Sequence, residues 1–158
     1  GAYNRRKLME ELESRFAEFR RYGQPCALIM FDLDRFKDVN DQFGHGVGDE
    51  VLCRITDIAR RQLREPDVFC RIGGEEFALL APGTDLEAAR QLGERLREAI
   101  ANHDPDGEHP GQTVTVSAGI SAFMPGDKHM EDVMIRADNG LYEAKRAGRN
   151  QVLLVQRA

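Results

Sequence analysis

Two pairs of acids stand where local structure gives no reason for them. Glu75 and Glu76 follow Gly73-Gly74 inside Arg71-Ile-Gly-Gly-Glu-Glu-Phe-Ala-Leu-Leu80. Two glycines predict a tight reversal between half-strands, because glycine reaches positive φ without steric cost. A reversal needs no carboxylates, since Asn or Ser would make it polar without like-charge repulsion. Asp32 and Asp34 form the second pair, at the end of the apolar run Cys26-Ala-Leu-Ile-Met-Phe31. If run and reversal are neighbours in one sheet, Asp32 and Glu75 converge. Converging carboxylates repel unless protonated or bridged by a cation. Oxygen ligands without His or Cys favour Mg²⁺ or Mn²⁺ over zinc, and a metal held by few carboxylates usually also holds substrate phosphates. Two such ions can clamp an in-line displacement at phosphorus. The plain alternative is that the acids only solubilise turns. For Asp34, and for the glutamate pair read by itself, the residues leave the two readings level.

These side chains need elements to position them. Leu8, Leu12, Phe16 and Phe19 at helical spacing predict a helix over 4–22, stopped by Gly23 and Pro25. The run 26–31 predicts a central strand. A short helix with Phe36, Val39 and Phe43 on one face follows, then a glycine-rich bend over 44–48. A helix over 49–63 turns Leu52, Ile55 and Ala59 inward, and the hairpin follows. Thr84 and Glu87 have capping-box spacing and open a helix reaching Ala101. Residues 113–123 alternate Val114, Val116, Ala118 and Ile120 against Thr and Ser, which is strand behaviour. A last helix, about 131–147, faces Val133, Ala137, Leu141 and Ala144 inward, is closed by Gly148, and leads to a strand over 151–155. Strands separated by helices on one side, with a central hairpin, predict an α+β sandwich. A mainly antiparallel sheet of the ferredoxin-like βαββαβ type fits its middle.

Composition narrows the function. The 158 residues suit one domain, and 41% hydrophobic with 31% charged is ordinary globular usage. A net charge of −5 and a pI near 5.4 argue against a nucleic-acid backbone as the main partner, but not against a nucleotide bound through a metal. Three cysteines without zinc spacing predict reduced, mostly buried thiols of a cytosolic protein. No apolar run is long enough to span a membrane, so no direct membrane contact is expected.

Further segments then fall into a recognisable order. They are Phe31-Asp-Leu-Asp-Arg-Phe-Lys37, Asn40-Asp-Gln-Phe-Gly-His-Gly-Val-Gly-Asp49, Gly73–Phe77, Val116-Ser-Ala-Gly-Ile120, Ala137-Asp-Asn-Gly-Leu-Tyr-Glu-Ala-Lys145, Gly148-Arg-Asn150 and Tyr3-Asn-Arg-Arg6. Over essentially the whole chain they resemble the GGDEF family of diguanylate cyclases, in its GGEEF variant. The resemblance implies a palm fold similar to that of polymerases and adenylyl cyclases, and condensation of two GTP into cyclic di-GMP with release of two pyrophosphates. It implies two Mg²⁺ (Mn²⁺ as substitute) held by Asp32, Glu75 and the Leu33 carbonyl. Glu75 would also be the general base for the ribose 3′-hydroxyl, and Glu76 would support the metal site. Lys37 would neutralise the triphosphate. Asn40 and Asp49 would read the guanine edge, rejecting adenine, which lacks the matching donors. His45 would lie against the nucleotide, and Gly73 and Gly74 would leave room for phosphate or ribose. Lys145 and Arg149 would reach the terminal phosphates; favourable charge at a helix C-terminus is their plain alternative.

Arg64-Glu-Pro-Asp67 has the spacing of the family's inhibitory RxxD motif. The resemblance implies a product dimer docked on Arg64, Asp67 and Arg95, with Arg90 a weaker choice than Arg95. A surface Arg-Asp pair in a turn is the alternative. The whole of 1–158 reads as one GGDEF catalytic domain, with Gly1 as the last residue of a DxLTG leader. An upstream sensor or dimerising module is expected, in a cytoplasmic protein whose full-length parent could be membrane-anchored. Catalysis would need a homodimer of GTP-loaded subunits. Two other classes stay open: a module binding cyclic di-GMP or GTP without turnover, and another palm-type nucleotidyl cyclase or a polymerase. The acidic charge disfavours a polymerase.

Overall fold

The computed structural model describes residues 4–155, so Gly1 and Tyr3 lie outside the described residues. β1 (Cys26–Leu33) is buried along its whole length, as its continuous apolar run requires. It lies at the centre of a five-stranded sheet with β2 (Val68–Gly73), β3 (Glu76–Pro82), β4 (Val116–Ala122) and β5 (Val152–Leu154), in the order β2-β3-β1-β4-β5. β1 pairs antiparallel with β3 and β4, and β3 pairs antiparallel with β2. β5 joins parallel to β4. The first four strands are the predicted βαββαβ core.

Helices cover both faces, not one. Ala27, Ile29, Phe31 and Leu33 point into a core roofed by α2 (Phe36–Phe43), α3 (His45–Arg61) and α4 (Leu86–Ala101). Cys26, Leu28 and Met30 point into a second core under α1 (Arg5–Tyr22) and α5 (Glu131–Arg146). A strand apolar on both sides needs cover on both, and this corrects the one-sided expectation.

Three local expectations shift for physical reasons. The predicted bend at 44–48 shrinks to Gly44 at φ 89°, and α3 already begins at His45. Gly48 lies inside that helix, where a Cβ would collide with the Asn40 side chain. The N-cap of α4 is Asp85, which accepts from the Ala88 N–H at 2.9 Å. Thr84 is buried instead, its hydroxyl accepting from Arg64 at 3.0 Å. The serines of β4 are as buried as its valine and isoleucine, and Ser121 donates to the Val133 carbonyl of α5 at 2.6 Å. Of the cysteines, Cys26 and Cys70 are buried and Cys53 is exposed. Burial pushes the Cys26 thiol up to about 12 and that of Cys70 up to about 11.

α5 lies almost in contact with β4 through two glycines. A Cβ on Gly119 would clash with the Ala137 carbonyl and the Leu141 N–H, both backbone atoms of α5. A Cβ on Gly140 would stand 2.8 Å from the Leu153 carbonyl oxygen and 3.0 Å from the Gly119 Cα. Backbone cannot step aside as a side-chain tip can. Gly119→Ala should therefore cost about 3 kcal/mol, the upper end for overpacking. Urea unfolding checks this, and an unchanged midpoint would contradict the close approach.

Candidate active site

The site grows out of the register between β1 and β3. Phe31 faces Phe77 across the two strands, and the next pair is Asp32 opposite Glu76. Side chains alternate along a strand, so the phenylalanines enter the α3/α4 core and the acids take the opposite face. The Leu33 N–H donates to the Glu75 carbonyl at 3.3 Å, which draws the glycine-rich loop onto the end of β1. Asp32, Glu75 and Glu76 are thereby brought together, although 43 residues separate positions 32 and 75.

Lys145, in the last turn of α5, forms an ion pair with Oδ2 of Asp32. The other oxygen, Oδ1, is buried, and among the described residues no donor reaches it. Burial first, and then the charge of Asp32, push the carboxyls of Glu75 and Glu76 above the usual range, with Lys145 opposing. Asp138 of α5 adds to the negative field on Glu76, and Arg5 of α1 offsets part of it. Asp138 escaped the sequence reading. The available signal is its spacing of seven from Lys145, which places both on one face of α5.

Among the described residues no three His, Cys, Asp or Glu side chains form a closed cage for a metal. The donors nevertheless fit a hard divalent cation. A buried carboxylate oxygen lacks a donor, burial and the Asp32 charge raise the proton affinity of two neighbouring carboxyls, and every ligating atom on offer is oxygen. Asp32, Glu75 and the Leu33 carbonyl are the groups that could hold it.

The Gly-Gly loop differs from expectation. Neither Gly73 nor Gly74 has positive φ. Instead, a Cβ on either would meet nothing within 4 Å, so the glycines keep open space beside the carboxylates. Arg71 ties the loop down, its Nε and Nη2 donating to the Gly74 carbonyl at 2.9 and 2.6 Å.

Asn40 is half-buried against Gly48, next in sequence to Asp49, so α2 and α3 bring the two expected guanine readers to one place. Asp49 is exposed and lines a cavity of about 650 Å³ with Leu52, Cys53, Arg60 and Arg71. Lys37 and His45 are exposed, His45 as the first residue of α3. Arg149 is exposed just past α5 and lines a cavity of about 340 Å³ that it shares with Asp34 and Arg35.

Arg64 and Asp67 are bonded to each other in the turn before β2. The Arg64 N–H donates to Asp67 Oδ2 at 2.8 Å, and Nη2 donates to Oδ1 at 2.9 Å. Nη2 also reaches the Pro82 carbonyl at 2.7 Å. Arg95 is exposed on α4, whereas Arg90 is paired with Glu87.

A βαββαβ core that carries clustered carboxylates at the ends of two adjacent antiparallel strands defines a palm-like α+β class of domain. The family model described as "Diguanylate cyclase, GGDEF domain" matches residues 1–151, and the chain belongs to this GGDEF family. It is 47% identical to Diguanylate cyclase DgcP of Pseudomonas aeruginosa, over 96% of this chain and 22% of that protein. It is 38% identical to a diguanylate cyclase of Vibrio cholerae, over 98% of this chain and 48% of that protein. The chain thus spans half or less of the length of these relatives. The solved active GGEEF domain of a Vibrio cholerae diguanylate cyclase superposes with a TM-score of 0.89 at 37% identity, covering 100% of both chains. The GGDEF domain of DgcB from Caulobacter crescentus, solved in complex with c-di-GMP, gives 0.87 at 33% identity, over 96% of this chain and 90% of that one.

The raised carboxyls make stability depend on pH. Folded Glu75 and Glu76 bind a proton more tightly than the unfolded chain does, starting from the ordinary 4.5. Stability is therefore lost as pH rises from 4.5 through their folded range. In EDTA, the urea midpoint should fall between pH 5 and pH 7.5, and Glu75→Gln should shrink that fall. Identical pH profiles for variant and parent would contradict the crowding of these carboxyls.

Proposed function

We propose that this domain is a diguanylate cyclase that condenses two GTP into cyclic di-GMP and two pyrophosphates. The observation that carries the reading is the buried, donor-free Oδ1 of Asp32 beside Glu75 and Glu76, at the edge of an open Gly-Gly loop. The names of the matching relatives support it.

Asp32, Glu75 and the Leu33 carbonyl would hold two Mg²⁺, which when bound neutralise triphosphate charge and acidify the attacking hydroxyl. Mn²⁺ would serve by the same donor chemistry. Glu75 takes the proton of the ribose 3′-hydroxyl. The 3′-oxygen of one GTP then bonds to the α-phosphorus of the other, and that phosphorus releases pyrophosphate. The same displacement with the roles exchanged closes the ring. Glu76 supports the carboxylate cluster from its place opposite Asp32.

Asn40 and Asp49 take the guanine edge, and His45 lies against the base from the start of α3. Lys37, Lys145 and Arg149 take the phosphates, and Gly73 and Gly74 leave room for them. Two GTP-loaded subunits must face each other, so the rate is limited by their encounter. A sensor or dimerising module elsewhere in a longer protein would control that encounter, and the greater length of the relatives supports it. The domain acts in the cytoplasm on this reading. Among the described residues no helix is long and apolar enough to cross a membrane.

Product feedback belongs to the same proposal. Both Asp67 oxygens are engaged by Arg64, so cyclic di-GMP docks by replacing that internal pair and recruiting Arg95. Arg64→Ala should weaken binding of cyclic di-GMP by at least tenfold, in line with loss of a charged hydrogen bond. Calorimetry reads this, and equal affinity removes the site.

Mass spectrometry of the product from GTP and Mg²⁺ tests the main reading. Cyclic di-GMP should form, ATP should not be consumed, and specific activity should fall on dilution. Asp32→Asn and Glu75→Gln should each lower turnover by about a thousandfold. A linear or adenine-containing product, or retained turnover in both variants, would overturn the assignment.

A further inference from the structure

Asp34 has no part in the chemistry above, yet its carboxylate is buried and fully engaged. Oδ1 accepts the Ser117 hydroxyl at 2.6 Å. Oδ2 accepts the Thr115 hydroxyl at 2.7 Å and the backbone N–H of Asn150 at 3.0 Å. The Asp34 N–H donates to the Thr115 carbonyl at 2.8 Å. One residue thus joins the end of β1, the approach to β4, and the turn between α5 and β5.

The backbone around it is strained. Among the described residues, the non-glycine residues at positive φ are Arg35, Arg149 and Asn150, at 53°, 66° and 47°. Side-chain-bearing residues avoid this region, and they persist in it only where neighbours over-determine the conformation. All three adjoin Asp34: Arg35 follows it, Asn150 donates to it, and Arg149 precedes Asn150. Two further bonds brace the turn. The Arg149 N–H donates to the Ala144 carbonyl at 3.0 Å, and Arg97 of α4 donates to Asn150 Oδ1 at 3.0 Å.

We infer that Asp34 is a positioning residue whose carboxylate holds the 148–150 turn in the strained conformation that presents Arg149 to the terminal phosphates of GTP. This rests on the assignment of Arg149 to those phosphates. Asp34 acts as an acceptor of hydrogen bonds, since its three donors are two hydroxyls and an amide, none of them cationic. An asparagine could keep that geometry: its carbonyl accepts two of the donors, and its NH₂ donates to the Ser117 hydroxyl. A metal ligand would not survive that exchange.

The test is equilibrium titration with Mg²⁺ and two probes, 3′-deoxy-GTP, which lacks the attacking hydroxyl, and GMP, which lacks the terminal phosphates. Arg149→Ala and Asp34→Ala should each weaken 3′-deoxy-GTP by about tenfold, the loss of one charge-assisted bond, and leave GMP within about twofold. The double variant should be no weaker than Arg149→Ala, because both remove one interaction. Asp34→Asn should restore most of the affinity. No effect of Arg149→Ala would remove the phosphate role of Arg149, and this inference with it. An effect of Arg149→Ala beside a neutral or additive Asp34→Ala would overturn the role of Asp34 alone. If Asp34→Ala fails to fold, Asp34→Asn decides. A tenfold loss there overturns the inference, and retained affinity with slow hydrogen exchange at the Asn150 amide supports it.

Discussion

A row of phenylalanine rings decides where the carboxylates stand. Phe31, Phe69 and Phe77 stack on the α3/α4 side of the sheet, with ring centroids 5.2 to 6.1 Å apart. On the other side of the same strands, Asp32 and Glu76 face each other. Like charges directly opposite across a ladder cost up to about 1 kcal/mol. Each buried ring contributes about 2–3 kcal/mol by transfer alone, and each stacked pair about 1 kcal/mol more. The aromatic face therefore wins, and the acids must accept their repulsion. A slip of one residue would turn Asp32 into the phenylalanine core and Phe31 onto the polar side, so the register has no near competitor. The cluster is a charged array held by an apolar layer behind it.

The sequence displayed this half of the site well because its signals are local. The apolar run of β1, the glycines and the adjacent acids are each readable within a few residues, and strand alternation does the rest. Asp34 shows where local reading stops. It stands two residues from Asp32 and looks equivalent by period, but β1 ends at Leu33 and the chain turns at Arg35. Its partners Thr115, Ser117 and Asn150 lie 81, 83 and 116 residues downstream. No spacing rule links residues so distant, which is why a structural carboxylate and a chemical one read alike. The capping of α4 misled for the opposite reason. Thr84 and Asp85 both had acceptable local chemistry, and only the tertiary bond from Arg64 to Thr84 decides between them. The cover on both sheet faces was readable in principle, since β1 is apolar at every position from 26 to 31.

α5 joins packing to electrostatics. Its closeness to β4, set by Gly119 and Gly140, fixes how near Asp138 and Lys145 come to the carboxylates of β1 and β3. One residue pushes proton affinity at Glu76 up and the other pulls it down. The same helix ends at Arg146, and the turn after it carries Arg149. A shift of this helix would alter the charge balance and the proposed phosphate contact together. At Gly119 and Gly140 the helix meets the sheet backbone to backbone, where there is no side-chain slack.

The charges then say in what form a substrate can enter. Asp32 raises the proton affinity of Glu75 and Glu76, Asp138 adds to it at Glu76, and Lys145 and Arg5 oppose them. Crowded carboxyls in a partly desolvated space repel further negative charge, because Coulomb forces there are several times stronger than in bulk water. A bare triphosphate would meet repulsion from this cluster whatever Lys37 and Arg149 supplied nearby. A triphosphate arriving with divalent cations reverses the sign of the encounter and gives the buried oxygen of Asp32 a partner. On the proposed reading, the carboxylates discriminate between free and cation-bound nucleotide before any base is read, and guanine selection at Asn40 and Asp49 would act on what that first filter admits.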